Sequence, residues 1–184
     1  MSRRSTRLMV LGVVAYRNPI SGYGIEKTLD EWAVSRWTTI APASIYQQLR
    51  TLTAQGAVEP VAGSRGRAAE HRCTPAGHEQ LRRLLLELLH ERDFRPMSLL
   101  PLLYFTPSLT SEELDAGLAS RIRLLDQALE SEDAMIARSE ELGPSHVTEI
   151  FRLTWRGLRA DRDWCAEYRA RLRANHSGSR TSDP

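Results

Sequence analysis

Residues 42–56 have the sequence PASIYQQLRTLTAQG, which is typical of one short helix with a marked beginning and end. Pro42 suits the first helical position, where its missing N–H costs nothing, and Gly56 suits the left-handed residue that stops a helix. Three apolar residues share one side when the chain advances 100° per residue: Ile45, Leu49 and Leu52. The opposite side is polar, with Arg50 as its cation. We therefore predict a helix that buries one face and presents the other.

Two further helices are predicted before this stretch. The apolar residues of the first recur at helical spacing and end before Asn18-Pro19: Leu8, Leu11 and Ala15. The second helix begins after Ser21, a favourable N-cap residue, and we expect it to end at Trp32. Its apolar stripe consists of Ile25, Leu29 and Trp32. Each helix thus has one face to bury.

A β-hairpin is predicted after the third helix. Residues 58–61 and 70–74 have the composition of two short strands, and Pro60 restricts the first strand to an edge position. The turn between them, Gly63-Ser64-Arg65-Gly66-Arg67, has two glycines and two arginines. Cys73 alternates inward on the return strand, so we expect it in the core. Three short helices followed by an arginine-tipped hairpin are the order of a winged helix-turn-helix domain.

The rest of the chain is predicted to be helical. A fourth helix begins at Thr74-Pro75, a short apolar helix follows Pro96, and Thr110 opens a long helix that stops at Gly143-Pro144. The apolar stripe of the long helix is Leu114, Leu118, Ile122, Leu125, Leu129, Ile136 and Leu142. In the last helix apolar residues recur every seven positions, which predicts packing along another helix, and we assign this face to a homodimer. The candidate dimerisation residues are Val147, Phe151, Thr154, Leu158, Cys165, Tyr168 and Leu172.

These elements define a mainly α-helical protein with a small β-hairpin. We predict a winged helix-turn-helix domain with its linking helix at 1–93, a helical dimerisation and effector domain at 94–173, and a disordered tail at 174–184. The net charge of +2 hides an asymmetry between the two halves. Residues 1–95 carry 14 basic and 9 acidic side chains, whereas residues 96–184 carry 11 and 14. The basic half is the one with the DNA-binding pattern.

Other classes of protein find little support in the sequence. The chain lacks a glycine-rich phosphate loop, a Gly-x-Ser-x-Gly turn and an HExxH motif, so we expect no catalytic residues, no cofactor and no enzyme activity. Cys73 and Cys165 lie far apart without a histidine cluster, so we expect no metal site. No apolar run approaches the ~18 residues of a membrane helix, and no cleavage site follows Arg3-Arg4, so we expect a cytoplasmic protein without membrane binding.

Four short motifs resemble those of PadR-like transcriptional regulators, and together they span residues 8 to 90. They are Leu11-Gly12, Ser21-Gly22-Tyr23-Gly24-Ile25, the stretch Ala43–Leu52 with Gly56, and Thr74-Pro75-Ala76-Gly77. The long helical part resembles the branch of this family with an extended effector and dimerisation region. The resemblance implies DNA binding as a dimer, with the third helix in the major groove and the hairpin as the wing.

The resemblance also implies the DNA-binding residues of this chain. Matching positions of the recognition helix are Ser44, Tyr46, Gln47 and Arg50. Ser21 and Tyr23 become candidates for phosphate contact at a helix N-terminus, and the wing candidates are Arg65, Arg67 and Arg72. The chain departs from the family pattern at Ala68, Ala69 and Glu70, where basic residues are usual, and Ser21 replaces a frequent histidine. Alternatively, Tyr46 packs against the wing, and Gln47 is a solvated residue that reads no base.

The second half contains aromatic residues that suggest a pocket for an aromatic or drug-like effector. The candidate effector-pocket residues are Tyr104, Phe105, Trp155 and Trp164. Tyr168 belongs to the same group, and at helical spacing such residues also suit a core or an interface. His146 and three arginines, Arg152, Arg156 and Arg159, suit either an acidic effector or a solvated face paired with Glu149 and Asp163.

The function that these patterns favour is that of a ligand-responsive, dimeric repressor on a pseudo-palindromic, double-stranded DNA operator. Two recognition helices related by a two-fold axis meet half-sites about one helical turn apart, roughly 34 Å. The alternative from another class is a helical protein-interaction module that uses a winged-helix domain without binding DNA.

Overall fold

A computed structural model describes residues 3–62, 69–94 and 97–179. The chain forms two compact units. The N-terminal unit comprises residues 1–87 and 99–109, and the C-terminal unit comprises residues 88–98 and 110–184. These boundaries differ from the predicted division at residue 93, because the segment 99–109 belongs with the N-terminal helices.

The N-terminal unit is a winged helix, and the structure confirms the predicted mainly helical fold class with a small sheet. Its elements are α1 (Arg3–Tyr16), β1 (Ile20–Ser21), α2 (Gly22–Glu31), a 3₁₀ turn (Val34–Arg36), α3 (Pro42–Ala54), β2 (Val58–Pro60), β3 (Glu70–Cys73), α4 (Pro75–His90), α5 (Leu100–Tyr104) and a second 3₁₀ turn (Thr106–Ser108). The last turn of α4 lies in the C-terminal unit. Gly56 adopts φ 70, which confirms the predicted left-handed stop after α3.

The sheet has three antiparallel strands in the order β1-β3-β2, one more than the predicted hairpin. The additional strand is β1, in which Ile20 pairs with His71 of β3. Its two residues are too few for a period-2 pattern in the sequence, so only the tertiary pairing reveals it. Pro60 lies on the edge strand β2, as predicted. The predicted wing tip, with Arg65 and Arg67, lies outside the described residues.

The core of the N-terminal unit forms around α1. Met9, Val10, Leu11, Val13 and Val14 of this helix are all 0% exposed. Burial of apolar surface stabilises the folded state by ~25 cal/mol per Å², so this helix contributes strongly to the stability of the unit. Gly12 belongs to the same face, and a methyl group there would overlap the ring of Phe105. The segment 99–109 therefore packs on α1 and completes this core.

The C-terminal unit is built on two long helices, α6 (Ser111–Leu142) and α7 (Ser145–Ser179), which pack along each other. Thr110 and Glu113 form the capping box that starts α6, and Gly143 ends it, as predicted. Leu142 was assigned to the core stripe, but its side chain is 77% exposed. The last helix continues past Arg173 to Ser179, into the region 174–184 that we predicted to be a disordered tail. It continues because each further residue adds a backbone hydrogen bond and no proline intervenes before Pro184.

The seven-residue repeat of α7 faces α6 of the same chain. Leu158 is 5% exposed and Cys165 is 0% exposed inside this unit. A seven-residue repeat indicates that a helix packs along another helix, but it does not identify which helix that is. These two residues of the predicted dimer face are consequently occupied by packing within the protomer.

A buried arginine joins the first segment of the C-terminal unit to α6. Arg121 is 0% exposed and donates hydrogen bonds to the main-chain oxygens of Glu91 and Asp93, the latter at 2.8 Å. Its guanidinium also lies 4.6 Å from the centre of the Phe94 ring. Burial lowers the pKa of Arg121. The side chain thus supplies partners to carbonyl groups that follow α4.

Among the described helices, none is both long enough and apolar enough to cross a membrane.

Candidate nucleic-acid interface

The start of α2 places two of the predicted phosphate contacts. Ser21 is the N-cap residue, and its Oγ accepts a hydrogen bond of 3.1 Å from the backbone N–H of Gly24. Tyr23 follows in the first turn and is 65% exposed. A helix N-terminus with free N–H groups and a positive dipole end favours a phosphate. Both residues therefore lie at the N-terminus of α2, and their contact with a phosphate stays a prediction.

Tyr46 packs against the beginning of α2. A methyl group at Gly22, which is buried, would overlap the Tyr46 ring. This contact explains why the sequence has glycine at position 22, because any larger residue would displace the tyrosine. The ring is half-buried and packs on α2, not on the wing as the alternative had it, and contact of Tyr46 with a phosphate stays a prediction. The contact fixes the α3 helix relative to α2 within the helix-turn-helix.

The two faces of α3 divide as predicted. Ile45, Leu49 and Leu52 are at most 3% exposed and point into the core. Gln47 and Arg50 are exposed, and Ser44 is half-buried beside them. The presented face therefore offers an amide, a guanidinium and a hydroxyl, which are groups that hydrogen-bond to base edges in the major groove.

Three arginines on different elements of the N-terminal unit are exposed, and we call them the interface arginines: Arg36, Arg50 and Arg72. Arg36 ends the 3₁₀ turn between α2 and α3, Arg50 lies on α3, and Arg72 lies on β3. In the part of the chain that the structure describes, none of them forms an ion pair. The sequence-based prediction missed Arg36, although a cation between the two helices of a helix-turn-helix was an available signal.

The four candidate effector-pocket residues are divided between the two units. Tyr104 and Phe105 belong to the N-terminal unit, and Trp155 and Trp164 belong to the C-terminal unit. Phe105 is 2% exposed, and Tyr104 packs on Trp32. Trp164 stacks on Tyr168 with 5.3 Å between ring centres.

Arg152 and Arg159 of α7 follow the solvated-face alternative. Arg152 Nη1 lies 2.5 Å from Glu149 Oε1, and Arg159 Nε lies 2.9 Å from Asp163 Oδ2. Arg152 also pairs with Glu140 of α6 at 2.5 Å. The neighbouring carboxylates raise the pKa of Arg152. These cations have partners within the chain.

Solved structures similar to this chain are PadR and PadR-like transcriptional regulators, the proteins whose motifs the sequence resembles. Bacillus subtilis PadR in complex with operator DNA is 15% identical, with 90% of this chain and 98% of that chain covered and a TM-score of 0.39. The same protein in complex with p-coumaric acid is 15% identical, with 91% of this chain and 98% of that chain covered and a TM-score of 0.40. A PadR-like transcriptional regulator from Bacillus cereus is 20% identical, with 92% of this chain and 99% of that chain covered and a TM-score of 0.38. No protein-family model and no curated protein matches the chain.

Proposed function

We propose that this chain is a sequence-specific, DNA-binding transcriptional regulator that acts as a dimer on a pseudo-palindromic operator, as a repressor. The observation that carries this proposal is the polar outer face of α3 together with the unpaired interface arginines. A winged helix presents such a face to the major groove. Catalysis has no part in the proposal, and the working compartment is the cytoplasm, where the operator is.

The charge arrangement supports binding to the phosphate backbone. An arginine without an intramolecular carboxylate keeps its full attraction for an external anion, because nothing has to be displaced first. Each phosphate that an arginine neutralises releases counterions, which makes the affinity fall steeply with salt. The interface arginines, with Ser21 and Tyr23, thus supply the positioning contacts of the complex. Arg65 and Arg67 of the wing are proposed to add two more.

Sequence discrimination is assigned to the presented residues of α3. Arg50 suits guanine, whose O6 and N7 match its planar fork, and Gln47 suits adenine. Ser44 adds a hydroxyl that serves as donor or acceptor. A correct bidentate pair is worth ~1–3 kcal/mol against the wrong base.

The dimer is proposed to form through a stripe of α7 that α6 leaves uncovered. Ile150 is 60% exposed and Leu153 is 72% exposed, which is unusual for such large apolar side chains. Advancing 100° per residue places Gly157, Trp164 and Tyr168 on the same stripe, with Thr154 at its edge. Nothing lies within 4 Å of a methyl group built on Gly157, so a partner helix can approach there. The stripe replaces Leu158 and Cys165 as the candidate contact with a second copy.

The DNA-binding proposal is tested by the affinity of the full chain for DNA upstream of its own gene, measured by fluorescence anisotropy. Arg50→Ala is expected to weaken binding to this DNA ~10-fold or more, since a lost bidentate contact costs ~1–3 kcal/mol. Arg138→Ala is the matched control, because Arg138 is exposed on α6 and the variant loses the same single positive charge as Arg50→Ala. Equal affinities of the two variants would disprove the assigned face.

The alternative of a protein-interaction module makes a different prediction for the same experiment. Such a module retains no duplex DNA at physiological salt, and neither arginine variant changes that result. Binding that is equally tight for the upstream duplex and for a shuffled duplex would contradict sequence-specific regulation as well.

A small-molecule response is the remaining part of the proposal. An aromatic or drug-like effector is expected to weaken the complex with operator DNA by favouring a conformation that binds it less well. The aromatic surface of the N-terminal unit supports this expectation, because Tyr16 is 61% exposed and its ring lies 5.3 Å from that of Trp32.

A further inference from the structure

The segment 99–109 follows α4 in the chain but packs within the N-terminal unit. Phe105 is buried in this segment, and a methyl group at Gly12 of α1 would overlap its ring. Leu102 is also buried, at 0% exposure. Side chains in a close-packed core have little freedom to move. The segment therefore gives the neighbouring residue, Tyr104, a fixed base.

Tyr104 extends from this segment to the end of α2. Its ring stacks on that of Trp32 with ring centres 5.1 Å apart and an interplanar angle of 10°. Its hydroxyl donates a hydrogen bond of 2.9 Å to the main-chain oxygen of Trp32, the C-cap residue of α2. The last carbonyl groups of a helix have no partner within the helix. Tyr104 thus supplies a donor to one of these groups from 72 residues further along the chain.

The turn that begins after Trp32 leads directly to α3. Ala33 adopts φ 53, a conformation that a non-glycine residue holds only when its surroundings impose it. The 3₁₀ turn Val34–Arg36 follows, and residues 38–41 have no regular structure before α3 begins at Pro42. A connection of this kind needs contacts from other elements to keep one conformation.

Trp37 is the second residue through which Tyr104 supports this turn. The two rings lie nearly parallel, with 6.4 Å between their centres and 22° between their planes. Aromatic rings attract each other at ~4.5–7 Å between centres. Within the described ranges, the buried indole N–H of Trp37 has no hydrogen-bond partner, so packing holds this side chain. Tyr104 consequently contacts a tryptophan on each side of the 3₁₀ turn.

We propose that Tyr104 is a positioning residue for DNA recognition, which holds the turn between α2 and α3 and thereby the presented face of α3. This role rests on the proposed DNA-binding function, and Tyr104 itself contacts no DNA. Arg36, one of the interface arginines, is the last residue of the 3₁₀ turn. The same contacts therefore hold the backbone from which its guanidinium extends.

The role predicts a loss of sequence discrimination without a loss of general attraction to DNA. Base reading requires α3 to lie in the major groove in one register, whereas phosphates attract the cationic surface in any register. A loosened turn has to be ordered again when α3 meets its operator, and ordering a backbone costs entropy. The complex with a non-specific duplex does not require this ordering. Loss of the Tyr104 hydrogen bond is therefore expected to weaken the operator complex selectively.

The contact with the turn is tested without DNA, by hydrogen exchange of the full chain. Tyr104→Phe keeps the ring and removes the hydrogen bond to Trp32. Exchange of the amides in 33–41 is expected to become ~5-fold faster, the factor that corresponds to the net free energy of one hydrogen bond. Exchange in α1 is expected to stay unchanged, because the opening is local.

The matched control is Tyr16→Phe. Tyr16 meets the same ring of Trp32 edge-on, at 5.3 Å and 70°. Among the residues that the structure describes, the Tyr16 hydroxyl forms no hydrogen bond. The control thus removes the same atom from the same aromatic cluster without removing a bond to the turn, and exchange in 33–41 is expected to equal that of the wild-type chain.

The recognition role is tested by anisotropy titrations with DNA upstream of the chain's own gene and with a shuffled duplex of the same composition. Tyr104→Phe is expected to lower the affinity for the upstream DNA ~5-fold and that for the shuffled duplex less than ~2-fold. Tyr104→Leu, which also removes the ring, is expected to lower the first affinity ~10-fold or more. The salt slope for the shuffled duplex is expected to stay unchanged, because the phosphate contacts remain.

Equal exchange of 33–41 in the wild-type chain and in Tyr104→Phe would overturn the proposal. So would faster exchange in α1 to the same extent, equal losses of affinity for the two duplexes, or the same effects in Tyr16→Phe. A wild-type chain that retains neither duplex refutes the proposed function instead. In that case, faster exchange in Tyr104→Phe alone still shows that Tyr104 holds the turn.

Discussion

The helix-turn-helix and its sheet in the N-terminal unit differ from the two long helices of the C-terminal unit in how their exposed arginines are paired. In the N-terminal unit, Arg36, Arg50 and Arg72 are exposed, and within the described ranges no carboxylate pairs with them. In the C-terminal unit, six described arginines pair with carboxylates of α6 and α7: Arg152, Arg159, Arg162, Arg169, Arg171 and Arg173. The difference shows that composition alone does not identify a binding surface. An arginine is available to an external phosphate when the fold has not already satisfied it.

The largest expected effect comes from removing the unpaired set. The triple variant Arg36→Ala, Arg50→Ala, Arg72→Ala is expected to lose ~10²–10³-fold in affinity for operator DNA near physiological salt, because three phosphate or base contacts disappear. The slope of log K against log salt is expected to shrink by ~2–3, at ~0.9 for each phosphate contact. Anisotropy titrations over a series of salt concentrations measure both. If the triple variant retained the wild-type salt slope, the interface arginines would not contact DNA phosphates, and their difference from the paired arginines of α7 would have no role in binding.

The buried arginine of the C-terminal unit is expected to have the next largest effect. Arg121→Met removes the hydrogen bonds to the main-chain oxygens of Glu91 and Asp93, of which Asp93 also accepts one of 3.1 Å from Ser98 Oγ, and loss of the donor to a desolvated acceptor costs ~1–3 kcal/mol. We expect the free energy of unfolding to fall by ~1–3 kcal/mol in urea titrations monitored by circular dichroism. A change below ~0.5 kcal/mol would show that water replaces the guanidinium without cost.

The C-terminal unit also has an exposed apolar surface, the stripe of α7 that contains Ile150 and Leu153. This stripe differs from the paired arginines of the same helix, which are satisfied by carboxylates within the chain. Ile150→Asp together with Leu153→Asp is expected to weaken the dimer at least ~10-fold, since each carboxylate has to be desolvated at the interface. Analytical ultracentrifugation over a range of protein concentrations measures this change. The control is Glu149→Gln with Arg152→Gln, which removes an exposed ion pair of the same helix. A wild-type chain that is monomeric at every concentration would refute the stripe as a dimer surface.

The smallest expected effect concerns one of the paired carboxylates. Asp115 accepts bidentate hydrogen bonds from Arg169 and Arg173, at 2.8–3.0 Å, and these bonds hold the pKa of Asp115 well below its usual range. A depressed pKa contributes stability above the unfolded-state pKa of ~3.9, and this stability is lost as the pH falls toward the lower folded-state pKa. Asp115→Asn is therefore expected to cost ~1 kcal/mol at pH 7 and progressively less below pH 4. Thermal unfolding of the wild-type chain and the variant at pH 7 and below pH 4 measures this cost. A loss of stability that is the same at both pH values would contradict an ionic origin of the Asp115 contribution.

The sequence predicted what local patterns determine. The limits and faces of α3 follow from Pro42, Gly56 and the spacing of Ile45, and the capping box of α6 follows from Thr110 and Glu113. Each of these features depends on residues within a few turns of one another. The same holds for the division of α3 into a buried and a presented side.

Features that depend on distant partners were not predictable in this way. The repeat of α7 indicated a helix partner but not that α6 supplies it, and nothing local marks Arg121 as buried. The pairing of β1 with β3 and the packing of 99–109 on α1 require contacts far apart in sequence. Likewise, the availability of Arg36 and Arg50 is visible only when every neighbouring carboxylate has been placed.

The most direct test of the account is a footprint of the wild-type chain on the DNA upstream of its own gene. A dimeric winged helix with α3 in the major groove predicts two protected half-sites related by a two-fold axis, with centres about 10 base pairs apart or a multiple of this. Arg50→Ala is expected to abolish both protections at the concentration where the wild-type chain protects them. Protection that is absent, uniform along the fragment or unchanged in Arg50→Ala would contradict the central claim that the unpaired face of α3 reads DNA.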